Sequence, residues 1–328
     1  MSEVRYWQAI NRALVDAMER DRRVVIFGED VAAPGGAFGA TKGLLERFGP
    51  ERVRDTPISE LAIAGVGVGA ALTGLKPVIE IMFNDFATLA LDQIVNQAAK
   101  LRFMTGGRAR VPLVIRTMVG SGKGTGPQHG QSLEAWFGHT PGLSVVMPST
   151  VADAYALLTA ALASEDPVVV MECLALWSVR GELDADPEPV RLGTGRVRRE
   201  GDQVTLVGIG PVMPAAERAA ELASEQGASV ELIDLRSLWP LDTEIIRRSL
   251  RKTGRLVVAH HSVGFLGPGA EVAAWAADQC FELLKGPIRR VAPPRSPVPF
   301  APTLEHDYFP TPERILAACT GAPEGAHG

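Results

Sequence analysis

The sequence predicts an α/β protein of two domains, each a mostly parallel sheet flanked by helices. Short apolar, β-rich runs alternate with amphipathic or alanine-rich stretches of helical length, a pattern typical of βαβ units. The chain has 328 residues, about twice the ~150 residues of one domain. A segment rich in charge, proline and glycine, residues 180–203, separates two such blocks and has the composition of a connection.

The elements follow from this alternation in chain order. In the first block the strand candidates are short apolar runs, at 24–28, 77–83, 111–116, 144–148 and 167–173. The helix candidates of that block lie at 5–20, 61–73, 87–104 and 150–163. The second block has strand candidates at 204–210, 229–235 and 255–261 and helix candidates at 214–226, 242–252 and 268–284. We therefore predict a first domain over 1–185, a linker over 186–202 and a second domain over 203–328.

Composition and charge argue against several classes of protein. Hydrophobic residues make up 46% and charged residues 22% of the chain, which is typical of globular proteins and not of disordered ones. The net charge of −5 does not favour nucleic acid or an anionic membrane as a partner. The three cysteines form no CxxC pair, and the N-terminal stretch lacks the apolar core of a signal peptide. No apolar run reaches the ~20 residues of a membrane span, so we expect a cytoplasmic protein.

Two glycine-rich stretches match nucleotide-binding loops only in part. Residues 208–210 follow a predicted strand, as in a dinucleotide fingerprint, but Met213 occupies the position of the third glycine. We favour the alternative of a tight strand-to-helix turn. Residues 120–126 contain a lysine, as phosphate loops do, but Gly124 follows Lys123 where serine or threonine is needed. A flexible active-site or interface loop fits that stretch better.

Glu60 and His129 are the candidate catalytic residues that the sequence itself suggests. No charged residue occurs in the 14 positions after Glu60, so we expect the carboxylate to be buried with the helix that it opens. A buried carboxylate suits proton exchange with a nitrogen base. The alternative is a charge that stabilises the helix N-terminus by ~0.3–1 kcal/mol. His129 ends the glycine-rich loop and is either an acid, base or hydrogen-bond donor or an ordinary surface histidine.

Several long stretches together resemble one family. They are residues 28–60, 85–107, 111–116, 128–150 and 230–242. Over nearly its whole length the chain resembles the beta subunits of thiamine-diphosphate-dependent 2-oxo acid dehydrogenases, the decarboxylating components of pyruvate, branched-chain 2-oxo acid and acetoin dehydrogenase complexes. The resemblance implies a pyrimidine-binding domain for thiamine diphosphate, followed by a transketolase-like C-terminal domain.

The resemblance also implies an activity and its partners. With an alpha subunit, in an α2β2 heterotetramer, the chain is expected to decarboxylate pyruvate or a branched-chain 2-oxo acid and to acylate the lipoyl group of an acyltransferase core. In this family the alpha subunit holds the diphosphate and Mg²⁺ with a GDG motif, and this chain contains no GDG. The alternatives are an acetoin dehydrogenase beta subunit, a nicotinamide-dependent oxidoreductase built on Gly208 and Gly210, and a non-catalytic scaffold.

Individual residues match functional positions of the family. Glu60 matches the glutamate that bonds the pyrimidine nitrogen, and Phe86 matches an aromatic residue that packs on the pyrimidine. His129 matches the histidine of a QHSQ motif, which implies a hydrogen bond or proton during acyl transfer, or a contact with the substrate carboxylate. Gly130 replaces the serine of that motif.

A potassium site is also common in the family and consists largely of backbone carbonyls, which suit a hard cation. The matching positions are Leu113, Ala161, Leu162, Ser164 and Asp166. Ser164 stands where an aspartate is common.

Overall fold

The computed structural model describes residues 2–321, which form two compact units. Unit 1 contains the described residues up to 120 together with 136–192, and unit 2 contains 121–135 and the residues from 193 onward. Each unit is built on a mostly parallel sheet with helices, so the predicted fold class is confirmed. No helix within residues 2–321 combines the length and apolar character needed to cross a membrane.

Unit 1 is built on one parallel sheet. Its strands are β1 Ser2–Arg5, β2 Val24–Gly28, β3 Val53–Asp55, β4 Lys76–Ile81, β5 Val114–Val119, β6 Ser144–Val146, β7 Val168–Cys173 and β8 Arg180–Leu183. Its helices are α1 Tyr6–Arg20, α2 Leu44–Phe48, α3 Glu60–Leu72, α4 Ala87–Leu91, α5 Ala99–Met104, α6 Glu134–Gly138 and α7 Val151–Ala163. Within the unit the parallel order is β6-β7-β5-β4-β2-β3, and β1 pairs with β8 antiparallel. Strands β5 and β7 are buried throughout, as expected of a sheet covered on both faces.

Several predicted elements differ in detail from the structure, among them a helix and a strand of unit 1 and the helix predicted at 268–284, which ends at Gln279. The helix predicted at 87–104 consists of three consecutive segments in the structure. These are α4, a π-helical segment at Asp92–Ala98, and α5. Sequence periodicity does not separate i→i+4 from i→i+5 hydrogen bonding over so short a stretch. The strand predicted at 111–116 begins at Val114, because the Val111 N–H donates to the Glu165 carbonyl and Pro112 has no N–H to donate.

Unit 2 contains a five-stranded sheet. The strands of this unit are β9 Arg196–Arg199, β10 Val204–Ile209, β11 Val230–Asp234, β12 Ser237–Trp239, β13 Leu256–His260 and β14 Arg289–Val291. Its helices are α8 Met213–Glu225, α9 Thr243–Thr253, α10 Pro268–Gln279, α11 Pro302–Tyr308 and α12 Pro312–Thr320. The sheet order is β14-β13-β10-β11-β9, with only β9 antiparallel to its neighbour. Residues 196–199 of the charged connection therefore form an edge strand, and the end of the predicted second domain, 322–328, lies outside the described residues.

The turn from β10 to α8 explains the partial glycine motif. Gly210 has a φ of +63°, which favours glycine. A Cβ on Gly208 would lie 2.3 Å from the sulfur of Met213. The Met213 side chain therefore covers the glycine, where a dinucleotide site needs open backbone. The packing favours the tight strand-to-helix turn.

Candidate active site

Glu60 is the first residue of α3 and is 8% exposed. The rest of α3 is apolar residues and glycine, and the glycine at 67 lets the helix lie directly on the sheet. A Cβ there would lie 2.9 Å from Cγ2 of Ile79 and 3.0 Å from Cδ1 of Leu113. Among the hydrogen bonds and ion pairs of residues 2–321, none involves the Glu60 carboxylate. Unit 1 thus contains a largely buried carboxylate whose oxygens are not used in a hydrogen bond or ion pair of the described residues and could therefore bind a ligand.

A second carboxylate, Glu29, interacts electrostatically with Glu60. Glu29 follows Gly28, the last residue of β2, at the carboxyl edge of the parallel sheet, where α/β proteins bind ligands. Burial, with the negative charges of Asp30 and Glu60, raises the pKa of Glu29. Sequence reasoning missed this residue, although its place directly after a predicted strand was a usable signal. The paired negative charges favour a ligand that brings a proton or a positive charge.

Phe86 lies beside the first turn of α4, which packs against α3. Its ring is nearly perpendicular to that of Phe83, with centroids 6.0 Å apart. Phe83 in turn meets Phe38 edge to face at 5.7 Å. The ring of Phe86 is partly exposed, and its edge-to-face contact with Phe83 favours one orientation of the ring. The structure places Glu60 and Phe86 at the starts of two packed helices of one unit.

A buried ion cluster joins three neighbouring strands of unit 1. Arg116 on β5 donates to Glu80 on β4 (Nη1–Oε2 2.5 Å) and to Glu172 on β7 (Nε–Oε1 2.7 Å, Nη2–Oε2 2.8 Å). Arg116 is 2% exposed. Burial opposes its charge, but the carboxylates of Glu172 and Glu80 outweigh this and raise the pKa of Arg116. The sequence analysis did not identify this cluster, which fixes β4, β5 and β7 relative to one another.

His129 lies in residues 121–135, a segment that we call the His129 loop. By its contacts this loop belongs to unit 2, whereas Glu60 and Phe86 lie in unit 1. The three predicted residues are therefore not in one unit. Close packing within the loop explains why residue 130 is glycine. A Cβ there would lie 2.7 Å from the Gly126 carbonyl oxygen and 2.9 Å from Oγ1 of Thr125. A serine would need the loop backbone to shift.

The predicted potassium positions lie around the end of α7 and the start of β7. The Ala161 carbonyl accepts a hydrogen bond from Ser164 N–H (3.1 Å), and Ser164 Oγ donates to the Asp166 carbonyl (2.9 Å). The Leu113 carbonyl accepts from Val168 N–H (3.0 Å), and the Asp166 carboxylate pairs with Arg102 (2.5 Å). Within residues 2–321 no group of three or more His, Cys, Asp or Glu could hold a metal ion. A cation here would depend on backbone oxygens, as at other oxygen sites for hard cations.

Comparison with known proteins adds a family and its relatives. Residues 2–176 match the family described as transketolase, pyrimidine binding domain, and residues 193–315 match transketolase, C-terminal domain. The chain is 43% identical over 321 residues to the acetoin:2,6-dichlorophenolindophenol oxidoreductase subunit beta of Bacillus subtilis, with 94% of each chain covered. It is 45% identical to the 3-methyl-2-oxobutanoate dehydrogenase subunit beta of Mycobacterium tuberculosis, over 94% of this chain and 89% of the relative.

A third relative and a solved structure extend the comparison. The pyruvate dehydrogenase E1 component subunit beta of Leifsonia xyli is 43% identical, over 94% of this chain and 91% of its own. A structure described as a split gene transketolase, inactive beta4 tetramer, superposes with a TM-score of 0.80 and covers 97% of this chain and 98% of that one. At 23% identity, this likeness is one of fold alone.

Proposed function

Because this chain belongs to the transketolase-like family that includes the beta subunits of 2-oxo acid and acetoin dehydrogenases, we propose that it is the beta subunit of such a decarboxylating component. With an alpha subunit it decarboxylates a 2-oxo acid, pyruvate or a branched-chain one, and transfers the acyl group to the lipoyl group of an acyltransferase. Acetoin is the alternative substrate, since a relative of 43% identity is named for it. The observation that carries the proposal is Glu60, an open and largely buried acid in the matched pyrimidine-binding domain.

The residues of unit 1 fit the pyrimidine ring of thiamine diphosphate. When bound, thiamine diphosphate supplies a carbon nucleophile and an electron sink for decarboxylation. Glu60 holds a proton against the ring nitrogen, in a charge-assisted hydrogen bond that burial strengthens. The negative charge of Glu29 favours the protonated state of that nitrogen. Phe86 packs on the ring face and fixes its orientation.

We assign His129 to the later half of the reaction. An imidazole both donates and accepts hydrogen bonds, so His129 suits proton donation during acyl transfer to the lipoyl group, or binding of the substrate carboxylate. Its place on a glycine-rich loop suits a group that must meet an incoming lipoyl arm. His129 is thus the second catalytic residue of the proposal.

The surface of unit 1 suits a protein partner. On α3 the side chains of Leu61 and Val66 are 50% and 60% exposed, and at the end of α5 those of Phe103 and Met104 are 88% and 65% exposed. Exposed apolar side chains in such numbers are typical of a surface that a partner covers. We propose that the partner is an alpha subunit, in an α2β2 heterotetramer, which holds the diphosphate and Mg²⁺.

Three further assignments complete the proposal. The complex docks on a lipoyl acyltransferase core. It works in the cytoplasm. Backbone oxygens at Leu113, Ala161, Leu162, Ser164 and Asp166, around the end of α7 and the start of β7, would hold a potassium ion.

Co-expression with a candidate alpha subunit tests the proposal. The purified assembly should contain both chains in equal number and should turn over one of three substrates, pyruvate, a branched-chain 2-oxo acid or acetoin. The chain alone should turn over none of them. A chain that is active alone, or an assembly inactive on all three substrates in the presence of thiamine diphosphate and Mg²⁺, would contradict the proposal.

A further inference from the structure

The His129 loop is held by a buried carboxylate of unit 2. Glu305 on α11 is 5% exposed. Its Oε1 accepts a hydrogen bond from Gly122 N–H (3.1 Å), and its Oε2 accepts one from Gly124 N–H (2.7 Å). Each oxygen of one carboxylate thus binds one backbone amide of the loop. Charge-assisted hydrogen bonds of this kind are roughly twice as strong as neutral ones.

Two further contacts of the loop also come from unit 2. At the start of the loop, Oγ of Ser121 lies 2.9 Å from Nδ1 of His261. At its end, Ser262 Oγ donates to the Ser132 carbonyl (3.0 Å). The loop is therefore held on both sides of His129, and Glu305 accepts hydrogen bonds from two amides of the glycine-rich part.

This glycine-rich part needs an external anchor. Gly122 and Gly124 have φ angles of +80° and +66°, in the region that glycine adopts readily. Glycine loses more conformational freedom on ordering than any other residue, and it has no side chain with which to hold itself. Lys123 between them is exposed. The Glu305 carboxylate, which accepts from both Gly122 and Gly124, therefore restricts the conformation of this stretch.

We propose that Glu305 is a positioning residue for His129: it fixes the backbone of Gly122 and Gly124 so that the imidazole is presented to the reacting groups. This inference rests on the proposed catalytic role of His129. Removing the hydrogen bonds from Gly122 and Gly124 to Glu305 should slow the same step of the reaction that loss of His129 slows. The rate of the Glu60-dependent step should stay unchanged. The slowing arises because His129 spends less time in its working position.

The test uses the assembled enzyme with three variants of this chain, Glu305→Gln, His129→Ala and the control Asp307→Asn. Glutamine keeps the size of the side chain but is neutral and carries an NH₂ donor in place of one oxygen, so it cannot present a separate acceptor oxygen to each amide. Asp307 lies on the same helix with an exposed carboxylate and leaves the loop untouched. Decarboxylation is followed with an artificial electron acceptor, and acyl transfer with a lipoylated acyltransferase. Amide hydrogen exchange of residues 119–126 reports the loop independently of activity.

Glu305→Gln should lower the rate of one step by at least about tenfold, which corresponds to about 1.4 kcal/mol. The step is the one that His129→Ala also slows. The loop amides of the Glu305→Gln enzyme should exchange faster than those of the wild type, and Asp307→Asn should match the wild type in every measurement. A slow His129→Ala beside a normal Glu305→Gln would overturn only the positioning role. Wild-type rates for His129→Ala would overturn the catalytic role of His129 and the positioning together.

If the Glu305→Gln chain does not assemble with its partner, a second variant tests the same proposal. Ser262→Ala removes only the hydrogen bond to the Ser132 carbonyl at the far end of the loop. It should produce a smaller loss in the same step and faster exchange of the loop amides. A Ser262→Ala enzyme whose loop amides exchange faster but whose rate matches the wild type would show that anchoring of the loop does not limit this step, and would overturn the positioning of His129 through its loop.

Discussion

Replacing Glu60 by glutamine keeps the shape of the side chain and removes the carboxylate that we propose holds the proton. Because Glu60 is 8% exposed and α3 carries no other acid, no neighbour on the helix takes over. A positioned general acid or base contributes typically about 10²–10⁴-fold to a rate, or about 2.7–5.4 kcal/mol at about 1.36 kcal/mol per factor of ten. The charge at the N-terminus of α3 adds only about 0.3–1 kcal/mol of stability. We therefore expect a large loss of kcat and a Tm within about 4 °C of the wild type.

The assay is decarboxylation by the assembly with the proposed alpha subunit and an artificial electron acceptor, together with a thermal melt of each preparation. Glu46→Gln is the matched control, because Glu46 also lies in the first turn of a helix but is exposed. It should retain the wild-type rate and Tm. A Glu60→Gln enzyme within about tenfold of the wild type, a loss under about 1.4 kcal/mol, would refute the proposed role of Glu60.

Three further predictions concern stability and the loop. Arg116→Met leaves two buried carboxylates without a cation and should lower the free energy of unfolding by about 3–5 kcal/mol, which an unchanged urea midpoint would contradict. Burial lowers the pKa of His260 to about 4, against about 6.5 when unfolded. The unfolded chain therefore takes up the proton first, and stability should fall by up to about 3 kcal/mol as the pH drops from about 6.5 to about 4; an equally steep fall in His260→Gln would exclude this cause. Gly130→Ser brings a Cβ within 2.7 Å of the Gly126 carbonyl oxygen and should slow the His129-dependent step, whereas an unchanged rate would show that the loop accepts the larger residue.

Local sequence patterns predicted most of the fold. Strands such as Val24–Gly28 and helices such as Val151–Ala163 lie within a residue or two of their predicted bounds, because apolar periodicity reflects the buried face of each element. The uncharged run after Glu60 also predicted its burial correctly, since an all-apolar helix has no face that favours water.

Contacts between distant parts of the chain left no such signal. Arg116 and Glu172 are 56 residues apart, and Gly122 and Glu305 are 183 apart. In the local sequence, each of the three charged residues resembles an ordinary exposed polar residue. Only the fold brings the partners together. For the same reason, the sequence did not indicate that residues 121–135 pack with unit 2. Similarly, the late start of β5 depends on a hydrogen bond from Val111 to Glu165, which lies far along the chain.

We propose that this chain supplies the pyrimidine side of a thiamine diphosphate site whose other half belongs to an alpha subunit. Titration calorimetry with thiamine diphosphate and Mg²⁺ tests it directly on three samples: this chain alone, the alpha subunit alone, and their assembly. We expect tight, saturable binding only to the assembly, and weaker binding when the assembly carries Glu60→Gln. Equally tight binding to this chain alone, or an assembly whose affinity is unchanged by Glu60→Gln, would contradict it.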